Sequence, residues 1–308
     1  MKTFLGIEIG GSKLQLFLGD ESAKVLERIK LPVDPESGGE GIRAQISEAL
    51  PKLSKYSEVA GLAVGFGGPV DRLTGRIARS HQIEGWSDFP LQTWLHDLSA
   101  KPVLVDNDAN MAALGEALHG AGKGADPVFY VTLGSGVGGG LVVNGEIYHG
   151  AAPGESEIGH LRLDQSGTIV EDRCSGWAVD RKTRELVKSG RPSLLIDLIG
   201  KATHGEARFL AKALEAKDAE AERILGETAG DLAFALSHVT QLFHPQVIVI
   251  GGGLSLLGEP LRAAVASALP RHIMTVFGQG PTVRLAGLGE DSVPVGCLAA
   301  AAKSHAHG

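Results

Sequence analysis

Two copies of one local pattern constrain this chain more than any other feature. Residues 131–145 read "VTLGSGVGGGLVVNG", in which Gly134, Gly136 and Gly139 have the G-x-G-x-x-G spacing of a dinucleotide site. Such a site needs a strand before the glycines and a helix after them, so that the pyrophosphate rests on the helix N-terminus. Here "VFYVTLG" reads as the incoming strand, but "GGLVVNG" is short, β-branched and ends on Asn144-Gly145, a hairpin signal. The glycines therefore join two strands, which argues against NAD. Two readings stay open for such a turn: an ordinary glycine-rich hairpin, or backbone N–H groups presented to a nucleotide phosphate. The chain opens on the same design, with Gly10-Gly11-Ser12-Lys13 set between two strands in "TFLGIEIGGSKLQLFLGD". Two strand, glycine-turn, strand units about half a chain apart predict an internally duplicated architecture.

Strands and helices alternate through the rest of each half. A helix is expected over 40–56, followed by a buried strand in "VAGLAVGFGGPVD" and an irregular stretch through Trp86. "PVLVDND" reads as a strand, and "ANMAALGEALHGAG" as a helix closed by Gly120 and Gly122. In the second half, Ile224, Leu225, Leu232, Leu236, Val239 and Leu242 keep a helical period over 220–243, stopped by His244-Pro245. "QVIVIGGGLSLLGEPLRAAVASAL" predicts strand, three glycines and helix, placing amides at a helix N-terminus where an anion could bind. A strand near 282–288 and a helix near 293–305 end the chain, with "SHAHG" as a frayed tail. The class is α/β. The expected division is a smaller domain of 1–118 plus 295–308 and a larger one of 119–294.

At 308 residues, 43% hydrophobic and 21% charged, the chain can bury a substantial core. A formal net charge of −7 leaves no footprint for nonspecific nucleic-acid binding and favours small-molecule chemistry. Cys174 and Cys297 lack the spacing of a metal or redox site and read as reduced thiols of a cytoplasmic protein. Neither a secretory signal nor an apolar run long enough to span a bilayer is present, so no membrane partner is expected. No G-x-x-x-x-G-K-[ST] occurs, so a P-loop is not indicated.

Four ordered motifs carry a resemblance: "IEIGGSK", "DNDANMAALGE", "LGSGVGGGLVVNGEIYHG" and "GESEIGH". Together they resemble the ROK family of sugar kinases and sugar-responsive repressors, in the actin/hexokinase-like superfamily, from residue 4 to the final helix. The resemblance implies a two-domain actin-like (ribonuclease H-like) ATPase fold, with duplicated βββαβα-type halves and an interdomain cleft. The implied substrates are ATP, with Mg2+, and a hexose.

By position alone Asp108 is a catalytic base, a helix N-cap or half of a surface pair, and Asp106, two residues earlier, shares its strand face. The family's "NDAN" favours Asp108 as the base that accepts a hydroxyl proton, with Asn107 contacting sugar. Glu157 and His160 in "GESEIGH" can each bind polyol hydroxyls or form a helix-surface pair; the resemblance implies sugar contact for both. Gly67 and Gly68 are expected to line the sugar pocket, and Asp71 to fix a turn. Gly10, Gly11, Gly134, Ser135 and Gly136, with Ser12 and Lys13, are implied to hold phosphates, and Gly252 and Gly253 to approach the adenosine.

Several positions depart from the family pattern. A cysteine-rich zinc loop follows the sugar signature in the family, but only Cys174 stands here, and one His plus one Cys cannot close a tetrahedral site. No structural zinc is expected, and the packing of Trp177 is the expected substitute for ordering the loop. Anchoring on "SGWA" places Glu171 at a third sugar-binding acid, its alternative being a solvated loop acid. Glu8 stands where the family has Asp, one CH2 longer, a change that water-mediated Mg2+ binding tolerates. Gln82 is nearest to an Asn common before the family's Gly-Trp.

The expected activity is a glucokinase-like transfer from ATP to a hexose, at the C6 hydroxyl. The alternative is a sugar-binding or sugar-responsive regulatory protein without a DNA-binding module, since the first phosphate strand begins by residue 4. A homodimer is the assembly the resemblance implies.

Overall fold

The computed structural model describes residues 2–11, 13–78, 84–151, 154 and 156–307. The strands are β1 (Thr3–Ile9), β2 (Lys13–Asp20), β3 (Val25–Pro32), β4 (Val59–Phe66), β5 (Val70–Asp71), β6 (Arg76–Ile77), β7 (Val103–Asn107), β8 (Val128–Leu133), β9 (Val137–Val143), β10 (Glu146–Ile147), β11 (Val247–Gly251) and β12 (Thr282–Leu285). The helices are α1 (Gly38–Ala49), α2 (Leu91–Ser99), α3 (Asp108–His119), α4 (Val170–Cys174), α5 (Gly176–Ser189), α6 (Leu194–Ile199), α7 (Leu210–Glu215), α8 (Ala219–Phe243), α9 (Glu259–Ala268) and α10 (Ser292–His307).

The duplication is explicit in the sheets. One has the order β3-β2-β1-β4-β7 and the other β10-β9-β8-β11-β12. In the first, β1 runs antiparallel to β2 and parallel to β4, and β4 runs parallel to β7. In the second, β11 pairs in parallel with both β8 and β12. β1 is buried at every position, as a central strand covered on both faces must be, whereas β3 at the edge is mostly half-exposed. The hairpin reading of Asn144-Gly145 holds: φ is 53° and 72° at the two residues, as a type I′ turn requires.

The chain divides into two compact units, Met1–Lys123 with Gly140–Glu155 and Glu290–Gly308, and Gly124–Gly139 with Ser156–Gly289. This differs from the expected division, which put 140–155 in the second part. The reason is close packing on α3: a Cβ on Gly140 would lie 2.7 Å from Ala113 Cβ and 2.9 Å from the Ala109 carbonyl. Farther along, Lys303 of α10 donates to the Gly145 carbonyl at 3.0 Å. α10 in turn meets α3 through a buried hydrogen bond from Ser292 Oγ to Glu116 Oε1 at 2.8 Å. In the first unit, Ile7, Leu16, Ile46, Val64, Trp86 and Leu95 belong to one continuous buried core.

Other expectations need correction. The glycines after β11 lead into a 3-10 helix, Gly253–Leu257, and the α-helix starts only at Glu259, after Gly258 at φ 71°. The predicted α-helical N-terminus at the glycines is therefore absent. Leu242, assigned to the buried face of α8, is 74% exposed beside the helix end, where His244 turns to φ 42°. The tail continues α10 to His307, with the His305 ring edge-on to Phe4 and in hydrogen-bond contact with Lys2 Nζ at 2.9 Å. Among the described residues, no helix is long and apolar enough to cross a membrane.

Candidate active site

In the first unit, three parallel strands end side by side and bring their next residues together. Gly67 N–H, after β4, donates to the Ile9 carbonyl at the end of β1 at 2.8 Å. A Cβ on Gly67 would lie 3.3 Å from Asp108 Oδ2 and 3.4 Å from Gly10 Cα. Glycine at 67 thus lets the Asp108 carboxylate stand directly over the strand ends, beside the first glycine turn. That turn is closed by Gly10 N–H donating to the Lys13 carbonyl at 2.8 Å.

The N-cap of α3 is Asn107 rather than Asp108. Asn107 Oδ1 accepts from Ala109 N (2.8 Å) and Asn110 N (3.3 Å), and its Nδ2 donates to the Gly68 carbonyl (3.0 Å). This fixes Asn107 while leaving its amide a second N–H. Asp106 is the more enclosed acid: Oδ1 accepts from Asn107 N (2.7 Å) and Asn110 Nδ2 (2.8 Å), and Oδ2 from His149 Nε2 (2.7 Å). With donors on both oxygens, Asp106 is a structural acceptor, which leaves Asp108 as the candidate base. Asp71 does fix a turn, accepting from Leu73 N and Thr74 Oγ1.

Glu8 and Gln15 are cross-strand partners on β1 and β2. Gln15 Nε2 donates to Glu8 Oε2, and Lys13 Nζ lies 3.2 Å from the same oxygen. Gln15 Oε1 is buried without a protein partner. A carboxylate and a spare amide oxygen form an oxygen donor set, the kind a hard cation such as Mg2+ takes directly or through water. Burial first, then the carboxylates of Glu8, Asp106 and Asp108, pushes the enclosed Cys297 thiol well above its ordinary value. Three acids therefore surround this end of the sheet.

The second unit carries the other glycine turn. Gly134 N donates to the Gly136 carbonyl (2.9 Å), and the Gly134 carbonyl accepts from Gly176 N (2.7 Å) at the start of α5. Glu171 bears on this turn, with Oε2 accepting from Val137 N at 2.9 Å. Ser135 is exposed. Gly252, at φ 78°, rests on Leu133: a Cβ there would lie 2.6 Å from the Leu133 backbone N and C. A cavity of about 440 Å3 opens beside these turns, its walls including Gly134, Trp177, Arg208, Gly253, Leu254 and Leu256. Asp180 shapes one wall by accepting from Gly205 N (3.2 Å) and Ala207 N (2.7 Å).

Glu157 is the N-cap of the short 3-10 helix Ile158–His160 and His160 its last residue, and both are exposed. The loop that follows is not ordered by Trp177, whose ring is 63% exposed and lines the cavity instead. A bridge between Arg162 and Ile169 and a turn around Asp164 hold it, with Leu163 N donating to the Thr168 carbonyl at 2.8 Å. Asp164 accepts from Ser166 Oγ (2.6 Å) and Thr168 N (3.2 Å), and these bonds, the Ser166 hydroxyl first, hold its carboxyl at about 2. Cys174 faces the Thr228 carbonyl at 3.6 Å, and burial pushes its thiol up to about 12. Among the described residues, no three His, Cys, Asp or Glu side chains gather as a metal group. Ser12 and Gln82 lie outside the described residues.

Sequence reasoning missed His149 and the cavity walls formed by Trp177, Arg208 and Leu254. Arg208 stands far from the motifs that carry the resemblance, and Leu254, next to Gly253, has an apolar side chain that reads as ordinary core. His149 was legible only as part of "EIYHG", without its partner.

Against this geometry, a model of the ROK family matches residues 4–304. The chain is 33% identical to a glucokinase of Halalkalibacterium halodurans, over 95% of this chain and 93% of that protein. It is 30% identical to a glucokinase of Thermotoga maritima, over 89% of each. Its structure is similar to that of a ROK family glucokinase from Streptomyces griseus in complex with glucose and AMPPNP. That match has a TM-score of 0.85 and 27% identity, covering 98% of this chain and 99% of that one. The two matched α/β sheets are those of the actin-like ATPase fold, and the chain belongs to the ROK family.

Proposed function

We propose that this chain is an ATP-dependent hexose kinase, glucokinase-like, with the sugar C6 hydroxyl as acceptor. The observation that carries the reading is the Asp108 carboxylate oxygen over Gly67, beside the glycine turn after β1. Both relatives named above as glucokinases add to it.

In the reaction, the sugar hydroxyl oxygen attacks the γ-phosphorus, the bond from that phosphorus to the ADP oxygen breaks, and Asp108 takes the hydroxyl proton. A positioned base of this kind contributes about 10²–10⁴-fold. Asn107 orients the sugar through its second amide N–H, and Gly67 and Gly68 leave room for it. Glu157 and His160 serve other sugar hydroxyls. Glu171 has a second role in this reading, because its bond to Val137 N links a sugar-binding acid to the phosphate turn. Backbone N–H groups at Gly10, Gly11, Gly134, Ser135 and Gly136 hold phosphates, with Ser12 and Lys13 contributing, and the cavity beside Gly252 and Gly253 receives the adenosine. Glu8, with Gln15 beside it, would hold Mg2+ through water, and the bound ion would offset phosphate charge.

The test is ADP release with Mg-ATP across a panel of hexoses and N-acetylhexosamines. Turnover with at least one sugar is expected. If no sugar turns over while one raises the melting temperature, the chain is a sugar-binding regulatory protein instead.

A further inference from the structure

We propose that His149 is a positioning residue for phosphoryl transfer, acting on Asp108 through Asp106. The inference rests on the kinase reading above and deepens it. Asp106 has a side chain only 7% exposed, and its Oδ1 is taken by donors of its own segment, Asn107 N and Asn110 Nδ2. Its Oδ2 receives Nε2–H of His149 at 2.7 Å, from the segment that follows β10. Among the described residues, His149 is therefore the donor to the oxygen that β7 and α3 do not serve.

The carboxylate so held sits at the root of the reacting segment. Asn107 N and Asn110 Nδ2 both bond to it, Asn107 caps α3 and ties to Gly68, and the next residue is Asp108. A buried carboxylate that loses one donor reorients toward another, and its remaining bonds move with it. Asp108 is the next residue in the chain, and glycine at 67 leaves the space its carboxylate occupies over the strand ends, so movement of this segment carries the carboxylate away from that place. A displacement of about 1 Å in a reacting group can cost about 10²-fold in rate. The backbone just before His149 is itself anchored, with Tyr148 N donating to the Leu141 carbonyl at 2.7 Å. A cavity of about 330 Å3, whose walls include Asp106, Glu146, His149 and Lys303, leaves the imidazole 22% exposed. Substitutions at 149 thus have room without overpacking the core.

The test compares His149→Phe, which keeps a ring but removes the donor, with His149→Gln, which keeps an N–H. The readouts are kcat, the KM for each substrate, and the melting temperature. His149→Phe is expected to lower kcat about 10-fold or more, with the KM for ATP within about twofold. His149→Gln is expected to recover most of that loss, and His149→Phe to add little in an Asp106→Asn background. An unchanged kcat in His149→Phe, with or without a lower melting temperature, overturns the proposal, as does a glutamine variant no better than phenylalanine. Wild-type protein without turnover on any sugar overturns the kinase reading and this inference with it. Wild-type turnover with an unmoved His149→Phe overturns this inference alone.

Discussion

Adjacent glycines at 252 and 253 should respond in opposite ways to alanine. Gly252 has φ 78° and ψ −179°, a region that residues with a Cβ avoid at a cost of about 1–3 kcal/mol. The added Cβ would also press on backbone, 2.6 Å from Leu133 N and C, and overpacking of this kind costs about 1–3 kcal/mol. Stiffening of the unfolded chain returns about 0.4–1 kcal/mol, so Gly252→Ala should destabilise by about 1–6 kcal/mol. Gly253 has no positive φ and nothing within 4 Å of a built Cβ, so Gly253→Ala should stay within about 0.5 kcal/mol of wild type. Urea unfolding of the two variants measures the contrast. Because Leu133 leads into Gly134, the first variant should also raise the KM for ATP while leaving hexose protection intact. The second should raise that KM alone, through a methyl in the cavity wall. Equal stability of the two variants would refute both the packing of Gly252 on β8 and the assignment built on it.

Three further outcomes follow from the second unit and the thiols. Glu171→Ala removes the acceptor of Val137 N, and should raise the KM for ATP as well as for sugar; an effect on sugar alone would contradict its bond to the glycine turn. Asp164 is held at about 2, below the ordinary 3.8, so it stabilises the fold above 3.8 and that contribution fades as pH falls toward 2. The difference in melting temperature between wild type and Asp164→Ala should therefore be largest at neutral pH and shrink through that window; a constant difference would contradict the turn. Both cysteines are buried, with thiols raised by burial, so Ellman's reagent should titrate neither in the native protein at neutral pH and both in guanidinium.

Features set by local chemistry were legible before the structure. Strand, glycine turn and strand repeat in both halves because short apolar runs and glycines announce themselves in sequence, and the period of α8 did the same as far as Val239. Features set by the meeting of distant segments were not. Asn107 takes the cap of α3 because its side chain reaches Ala109 N, and residue order alone left Asn107 and Asp108 both possible. Residues 140–155 join the first unit because Gly140 admits close packing on Ala113, a contact without a one-dimensional signal. Trp177 is the residue expected to order the loop, yet the Arg162–Ile169 bridge and the Asp164 turn hold it and leave the indole at the cavity. The His149–Asp106 pair joins residues 43 apart and was hidden for the same reason.

The central claim is that Asp108 takes the proton of a hexose hydroxyl as phosphate moves from ATP. Phosphorus NMR of the reaction with Mg-ATP and glucose, run for wild type and Asp108→Asn, tests it most directly. The account predicts a hexose 6-phosphate resonance from wild type and a rate lower by about 10²–10⁴-fold in the variant, which should still be protected by glucose against heating. Equal rates in the two proteins, or phosphate appearing only as free orthophosphate, would contradict it.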